Sequence, residues 1–401
     1  MALLDNLEFD LTRADTGLYL DIDGRWKRAS VNDPMATNFS DLKFRGTWIP
    51  KALTNLFRNS EPASDPGQGM RTAISYTAGD LGQFEVDGYV TMAGGGVTRA
   101  YYNVASAPAN NSLGTVAFLC EKIAGGEPNT NSSSISTADV YPLWGGAITQ
   151  NEVFKEQYGN YWFIRIKMTA PAVANTVTGL RQDTSYVGTG VRVSAIMAVD
   201  GHVDLTLLDY LRTTGASATR AVTDIRNTSF PELASLQGFI DVEIAANGIG
   251  QLLNIGVDNF NKLRLIKDSN NAIFLSFLIS GNTQFIITSP TLAAGRYRVS
   301  WFVESGNINY YIDNVSQGTS TGVYSPNGSN LVLGGDITGT SQKLTDGGFF
   351  GLYLNSGITE TKLLEESAWQ GLEDSSAFKR TTFDNFAFTQ SIYNLLASTE
   401  L

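Results

Sequence analysis

Residues 297–313 read YRVSWFVESGNINYYID, two short runs in which apolar and polar side chains alternate on either side of a Ser-Gly pair. Successive side chains of a β-strand point to opposite faces, so alternation with period two puts one set in a core and the other in solvent. The apolar set consists of Tyr297, Val299, Trp301, Val303, Ile308, Tyr310 and Ile312. The stretch therefore predicts two antiparallel strands of a sheet with one wet face.

The same alternation recurs along the chain between segments rich in Gly, Asn, Ser and Asp. In residues 161–168 the apolar face holds Trp162, Ile164, Ile166 and Met168, and the polar face holds Arg165 and Lys167. The chain has 401 residues, of which 40 are glycine and only 17% are charged. This composition is typical of a protein built from turns and strands. We predict an all-β protein of tandem antiparallel β-sandwiches of the jelly-roll type, with a small N-terminal attachment region.

Breaks in composition divide the chain. A run of Thr, Ser, Gly and Ala at residues 213–220 interrupts the rhythm of strands and predicts a connector between two sandwiches. The predicted parts are an attachment region at 1–60, a first sandwich at 61–208, a linker at 209–234, a second sandwich at 235–370 and a C-terminal tail at 371–401. A short helix is expected near residues 363–372.

The chain is acidic, with a formal net charge of −11. Proteins that bind nucleic-acid phosphates or an anionic membrane surface carry clustered Lys and Arg, and the sequence has no dense basic run. We expect no nucleic-acid partner. We also expect no membrane insertion, because no apolar run approaches the about 18 residues of a spanning segment. The first residues lack the basic and apolar segments of a signal peptide, so we expect folding in the cytoplasm.

Two residue counts limit the chemistry. The chain has one cysteine, Cys120, in an apolar run, and one histidine, His202, in a predicted turn at a strand end. A Ser-His-Asp triad needs a histidine beside its nucleophile, and zinc sites usually need several Cys or His ligands. We therefore expect no catalytic residue, no metal and no cofactor, and predict that the protein is not an enzyme. Carboxylates for a glycosidase pair are present without a recognisable signature, so a polysaccharide hydrolase or esterase is kept as an alternative.

Several motifs occur in a recognisable order. The opening ones are FDLTRA at residues 9–14, YLDIDG at 19–24 and NLFRNSE at 55–61. The later ones lie at residues 159–166, 179–182, 188–193, 210–215 and 218–221. Together they resemble a family of phage tail and head-spike proteins, in which such elements precede, form and close a sandwich like a carbohydrate-binding module.

The second half of the chain carries its own resemblance. Residues 238–365 are similar to a jelly roll of the concanavalin or laminin-G type, with matching segments at 295–301, 310–314, 331–335 and 348–351. Asn314 stands where the Tyr-x-Asp-Gly hairpin of that family has glycine.

The resemblance implies a structural component of a tailed-phage virion, such as a spike, a fibre or another head or tail appendage, made in the host cytoplasm. It implies adhesion to glycans of the host cell surface, a homo-oligomer in the form of a trimer, and binding of other virion proteins by the N-terminal region. A head or collar decoration protein without a ligand is a second alternative.

Glycan-binding sites combine aromatic faces, on which sugar C–H groups stack, with short polar side chains. In the second sandwich the favoured set is Asn309, Tyr311 and Asp313, which lie two residues apart and so share the face opposite the core. In the first sandwich the weaker candidates are Tyr101, Trp144, Tyr186 and Gln182. Trp162 and Trp301 alternate with aliphatic residues, which indicates core positions.

Overall fold

The structure is a computed structural model of the chain. It describes residues 10–12, 16–20, 25–29, 47–49, 52–64, 74–93, 98–103, 108–131, 137–146, 148–174, 177–182, 186, 188–220, 224–228, 237–244, 249–304, 306–322, 330–338, 344, 347–355 and 359–367.

The described elements are almost all strands, which confirms the predicted all-β class. In chain order they are β1 (Asp10–Thr12), β2 (Gly17–Leu20), β3 (Trp26–Ala29), β4 (Thr47–Ile49), β5 (Leu53–Asn55), β6 (Ile74–Ala78), β7 (Gly88–Met92), β8 (Thr98–Asn103), β9 (Leu113–Lys122), β10 (Tyr141–Trp144), β11 (Thr149–Tyr158), β12 (Tyr161–Thr169), β13 (Val177–Gln182), β14 (Val191–Asp200), β15 (Ala218–Arg220), β16 (Asp224–Asn227), β17 (Gln237–Ile244), β18 (Gly250–Asp258), β19 (Asn261–Lys267), β20 (Ile273–Ile279), β21 (Asn282–Thr288), β22 (Gly295–Glu304), β23 (Asn307–Ile312), β24 (Val315–Thr321), β25 (Asn330–Leu333) and β26 (Gly347–Asn355). A 3₁₀-helix spans Leu207–Asp209 and an α-helix, α1, spans Glu360–Ser367.

The chain folds into two compact units. The first unit consists of residues 14–31 and 52–221, and the second of residues 1–13, 32–51 and 222–401. Among the N-terminal strands, β1 and β4 pair with strands of the second unit, whereas β2, β3 and β5 belong to the first. The described strands of the predicted attachment region at 1–60 therefore belong to the two units and do not form a separate element. Strands β1, β4 and β5 pair with strands that lie far away in sequence, whereas β2 and β3 pair with each other.

The predicted linker at 209–234 begins inside the first unit. Tyr210 and Arg220 are buried, and the Arg220 guanidinium donates to the carbonyl oxygens of Asp209 (3.0 Å) and Tyr210 (2.6 Å). β15 pairs with β5. A segment rich in Thr, Ser and Gly is typical of a flexible linker. Here the backbone is fixed by the pairing of β15 with β5 and by the hydrogen bonds of the buried Arg220.

The first unit is a sandwich of antiparallel sheets. A six-stranded sheet has the order β11-β12-β9-β14-β7-β6, and a three-stranded sheet has the order β10-β13-β8. Their facing residues form a buried core that includes Phe118, Ile164, Ile166, Met168, Val193, Leu180 and Trp144. The predicted alternation in β12 is confirmed, with Arg165 and Lys167 on the opposite face. Cys120 also lies in this core, as expected.

The second unit is a sandwich of two larger antiparallel sheets. One has the order β1-β16-β25-β18-β19-β20-β21, and the other β24-β23-β22-β17-β26-β4. The core between them includes Ile240, Leu253, Leu265, Phe277, Val299, Trp301, Ile308, Tyr310, Ile312 and Leu352. The alternation in β22 and β23 therefore predicts the core face correctly.

The outer face of the six-stranded sheet of this unit is covered as well. Leu363 of α1 packs against Phe239 and Phe302. Asp241 and Arg298, which point away from the core, are buried and joined by two hydrogen bonds of 2.5 and 2.7 Å. α1 begins three residues before the predicted helix and ends at Ser367, and the predicted tail at 371–401 lies outside the described residues. No described helix has the length and apolarity to cross a membrane.

Candidate functional site

The predicted set Asn309, Tyr311 and Asp313 lies on the outer face of β23 and the turn that follows it. The Asn309 amide and the Tyr311 hydroxyl both donate to the same carboxylate oxygen of Glu360 in α1, the first at 2.5 Å. Burial and this carboxylate raise the pKa of Tyr311 to about 12. The structure brings Asn309 and Tyr311 together, but α1 uses the groups that a sugar would need.

Asp313 belongs to a different arrangement. Asp313 and Asn314 both have positive φ, +49° and +63°, and form the two-residue turn between β23 and β24. A type I′ turn needs positive φ at both central residues, which Asn and Asp tolerate. The Asp313 carboxylate accepts the backbone N–H of Arg298 (2.8 Å), so its first role is to hold the hairpin against β22.

The candidates of the first unit are mostly enclosed. Trp144, Gln182 and Tyr186 have exposed fractions of 0%, 0% and 5%. Trp144 fills the core, while Gln182 donates to the carbonyl oxygen of Asp139 (2.9 Å) and Tyr186 to its carboxylate (2.5 Å). These three side chains are unsuitable as an exposed glycan platform, because aromatic and amide groups in a strand-rich sequence are mostly used for packing and internal hydrogen bonds. Tyr101 is in β8, opposite Gly179 of β13, and its side chain lies outside the described residues.

The recognised motifs of the first unit also meet in an enclosed place. Glu61 is 3% exposed and accepts hydrogen bonds from the Arg28 guanidinium (2.5 Å), the Asp87 backbone N–H (2.7 Å) and the Tyr210 hydroxyl (2.8 Å). Arg212 lies 3.6 Å from the same carboxylate and also pairs with Asp87. Burial raises the pKa of Glu61, against the opposing effect of the two arginines and the tyrosine.

The side chain of Asn55, at the start of the same motif, forms hydrogen bonds with four backbone groups. Its side-chain amide donates to the carbonyl oxygens of Ile196 (3.1 Å) and Leu211 (2.8 Å), and its oxygen accepts the N–H groups of Phe57 (3.1 Å) and Ala198 (3.0 Å). The two ends of the motif NLFRNSE therefore join distant segments of the first unit, since the polar side chains of Asn55 and Glu61 are hydrogen-bonded inside the protein.

An exposed aromatic ring stands at the end of two neighbouring hairpins of the second unit. Phe260 is 63% exposed, within the two-residue loop that joins β18 to β19. The β20–β21 turn lies beside it, and Gly281 donates its N–H to the carbonyl oxygen of Phe260 (2.9 Å). We call the ends of these two hairpins the Phe260 tip, defined by Asp258, Phe260, Asn261, Ser280 and Asn282.

Hydrogen bonds fix the backbone of the Phe260 tip. The Asp258 carboxylate accepts the N–H groups of Phe260 and Asn261, both at 2.8 Å, and Asn261 in turn accepts the N–H of Ser280 (2.9 Å). Burial would raise the pKa of Asp258, but these N–H donors outweigh it and lower the pKa. The carboxylate therefore stays charged, and the loop under the ring is held without help from a ligand.

The neighbouring turn brings its backbone close to the ring. Ser280 and Gly281 have φ values of +51° and +79°, as a type I′ turn requires. A side chain at Gly281 would begin 3.3 Å from the Phe260 ring. Ser280 and Asn282 on either side of Gly281 are exposed, so the turn next to the ring presents short polar groups that can bond hydroxyls.

Beneath the Phe260 tip lies a closed polar network. The Asn259 amide donates to Asp336 (3.2 Å) and Thr338 (2.8 Å), and its oxygen accepts the Ile337 N–H (3.1 Å) and the Lys262 ammonium (3.1 Å). This network ties the β18–β19 loop to the segment after β25. No group of three or more His, Cys, Asp or Glu side chains that could hold a metal ion occurs within the described ranges.

Sequence reasoning missed Phe260, although the sequence carries a signal for it. Residues 258–261 read DNFN between two strand-like runs, and a two-residue turn normally holds Asn, Gly or Asp. An aromatic residue at the centre of such a turn has no neighbour on its own strand against which to pack. Period-two alternation applies only to residues within strands, so it does not identify an exposed aromatic residue in a turn.

No family model and no curated protein matches the chain. Similar solved structures include a heptameric SAP-like pentraxin from Limulus polyphemus, with 15% identity, a TM-score of 0.31, and coverage of 37% of this chain and 76% of that one. Domains LG4-5 of the mouse laminin alpha1 chain have 11% identity, a TM-score of 0.26, and coverage of 74% and 93%. A protein of Bacteroides ovatus described as a proposed carbohydrate-binding protein has 11% identity, a TM-score of 0.21, and coverage of 79% and 84%. The fold assignment rests on the strands and their pairing.

Proposed function

We propose that this protein is a structural component of a tailed-phage virion and adheres to glycans of the host cell surface through the Phe260 tip. The observation that carries the adhesion part is an aromatic ring, 63% exposed, on a loop whose backbone is fixed from both sides. A pyranose ring presents C–H groups that pack on such a ring, and its hydroxyls suit the exposed Asn282 and Ser280.

The fixed backbone matters for affinity. A binding loop that is ordered in advance loses little conformational entropy when the ligand arrives. One small tip gives weak binding, but several copies on one particle multiply it by about 10² to 10⁴ when their spacing permits joint binding. We therefore propose a homo-oligomer, as a trimer, which displays several tips at once.

The phage assignment is supported by the resemblance of residues 9–61 and 159–221 to the spike family. On this proposal the chain is made in the host cytoplasm, and its N-terminal region contacts other virion proteins. The net charge of −11 repels a negatively charged cell envelope, so contact must come from short-range stacking and hydrogen bonds. Nucleic acid and membrane lipid are not proposed as partners.

We propose binding without catalysis. Glu152 accepts Lys167 (2.8 Å) and Arg165 (3.0 Å), and these partners lower its pKa despite partial desolvation. Glu121 accepts Arg192 (2.8 Å). A glycosidase needs an accessible carboxyl group with a raised pKa to act as acid. The pKa of Glu152 is lowered, and Glu61, whose pKa is raised, is 3% exposed and enclosed by Arg28 and Tyr210, so these carboxylates favour a role in stability.

The test is binding of the purified protein to a panel of isolated bacterial surface polysaccharides. We expect Phe260→Ala to weaken binding of the recognised polysaccharide about five- to twelvefold, the loss of one stacking contact of about 1–1.5 kcal/mol, with an unchanged melting temperature. Val315→Ala is the matched control, because Val315 is also 63% exposed, and we expect it to bind as the wild type does.

Three outcomes would contradict parts of this proposal. Normal binding by Phe260→Ala together with weak binding by Val315→Ala would move the site to the turn beside Asn309 and Tyr311. New reducing ends or released acyl groups in the incubated polysaccharide would favour the hydrolase or esterase alternative. An absence of binding to any polysaccharide on the panel would favour a head or collar decoration protein without a ligand.

A further inference from the structure

Lys262, at the start of β19, carries an amine in unusual surroundings. The residue is 3% exposed. In the described part of the chain its amine contacts only two side-chain amide oxygens, those of Asn259 (3.1 Å) and Gln251 (3.3 Å). Burial and the nearby Arg264 lower the pKa of Lys262 to about 8, against the opposing effect of Asp336 and Asp258. About a tenth of the amine is then neutral, and nucleophilic, at pH 7.

The carboxamide of Asn259 is held at both of its atoms. Its oxygen accepts the Ile337 backbone N–H (3.1 Å), and its nitrogen donates to the Asp336 carboxylate (3.2 Å) and the Thr338 hydroxyl (2.8 Å). Asp336 is 1% exposed. An N–H donor on a carbonyl oxygen stabilises the negative charge that develops there during nucleophilic attack. A carboxylate beside the amide nitrogen is placed to pass a proton to that nitrogen as it leaves.

We propose that Lys262 and Asn259 become joined by an intramolecular amide bond, with Asp336 as the proton-transfer group. The proposal rests on three side chains from two segments, a buried amine, a fixed carboxamide and a buried acid, that meet beneath the Phe260 tip. It does not depend on glycan binding.

The reaction balances without an oxidant or another reagent. The neutral Lys262 Nζ attacks Asn259 Cγ, forming the Nζ–Cγ bond and placing negative charge on Oδ1 beside the Ile337 N–H. Asp336 takes a proton from Nζ and delivers it to Nδ2. The Cγ–Nδ2 bond then breaks and ammonia leaves, so that an amine and a primary amide become a secondary amide and ammonia. The attack requires Nζ to move from Oδ1 onto the adjacent carbon, a shift within the range of the flexible lysine side chain.

The bond would close a small covalent ring around the β18–β19 loop. Asn259 precedes Phe260 and Lys262 follows Asn261, so the ring encloses the exposed aromatic residue. This fixes the loop permanently. The neutral amine is the reactive form, so the rate of bond formation should rise with pH between about 7 and 9. The charged groups that face the amine are Arg264 on its own strand, Asp258 in the loop and Asp336 after β25.

The experiment is intact mass spectrometry of the purified full-length chain. We expect the mature protein to be lighter than its sequence by one ammonia, about 17 Da, after incubation at pH 9. Trypsin should fail to cleave after Lys262, and the peptide that spans residues 259–262 should carry the whole deficit.

Variants distinguish the formation of this bond from other reactions that release ammonia. Lys262→Arg should restore the full mass, and Asp336→Asn should slow the loss about a hundredfold or more, the contribution of a positioned acid–base group. Lys267→Arg is the matched control, because Lys267 is equally buried but its amine contacts the backbone carbonyl of Asp268, and it should keep the deficit.

A full mass in the wild type after prolonged incubation at pH 9 overturns the proposal. A deficit that persists in Lys262→Arg overturns it too, because asparagine cyclisation elsewhere would then be the source. A deficit that fragmentation places between Lys262 and Gln251 shows a different acceptor and contradicts the role of Asn259.

Discussion

Tyr310 and Tyr311 are adjacent residues with opposite surroundings. Tyr310 is fully buried in the core of the second unit, and its hydroxyl donates to the carbonyl oxygen of Ile273 (3.1 Å). Tyr311 lies on the other face of β23 and donates to Glu360 of α1. A strand that alternates its side chains makes such a contrast unavoidable.

The contrast predicts different costs for the two alanine variants. Tyr310→Ala opens a cavity in a packed core and should lower the free energy of unfolding by about 3–5 kcal/mol. Tyr311→Ala removes one hydrogen bond at a partly exposed position and should cost about 1 kcal/mol. Urea unfolding of the two variants measures both values, and equal losses would contradict the assignment of the two faces.

Glu61 gives the first unit a pH-dependent contribution to stability. Burial raises its pKa above the ordinary value of 4.5, so the folded state holds the proton at a pH where the unfolded state has lost it. The contribution of Glu61 to the free energy of unfolding is therefore complete below about pH 4.5. It decreases as the pH rises through the raised pKa of the folded state.

Glu61→Gln removes this titration while keeping a polar side chain of similar size. We expect the free energy of unfolding of the wild type, relative to that of the variant, to fall as pH increases from about 4.5 to 7. Urea unfolding of both proteins across this range measures the difference. A difference that grows with pH would show that the ion pairs with Arg28 and Arg212 outweigh the burial of Glu61.

At the scale of strands and helices, period-two patterns predict which residues share a face. They do so correctly for β12, β22 and β23. They do not predict what lies on the opposite face. Phe163 and Ser300 are on faces expected to be wet, yet both are fully buried. The covering element can come from far along the chain, as α1 does when Glu360 reaches Asn309 and Tyr311 across about 50 residues of sequence.

The candidate site, too, is only partly predictable from the sequence. Trp144 and Tyr186 have the right chemistry for sugar binding, and the sequence does not reveal that both are buried. Phe260 has the right exposure, and its place in a two-residue turn is visible in the sequence. Aromatic residues in turns are therefore better guides to exposed platforms than aromatic residues in strands, because a turn has fewer neighbours to cover them.

At the scale of the whole molecule, the two-sandwich organisation is predictable, and the division of the chain between the sandwiches is not. The short strands β1 and β4 pair with β16 and β26, which lie more than 200 residues away. Such pairing depends on which sheet edge is open in the folded state. Neither the composition of residues 1–60 nor their weak alternation contains that information.

The proposal of a glycan-binding virion protein depends on where a saccharide binds. The most direct measurement is a crystal structure of the protein with a bound fragment of the polysaccharide that it recognises. We predict a sugar ring stacked on Phe260, with hydroxyls hydrogen-bonded to Asn282 or Ser280. A saccharide bound elsewhere, with the Phe260 ring still bare, would contradict the assignment.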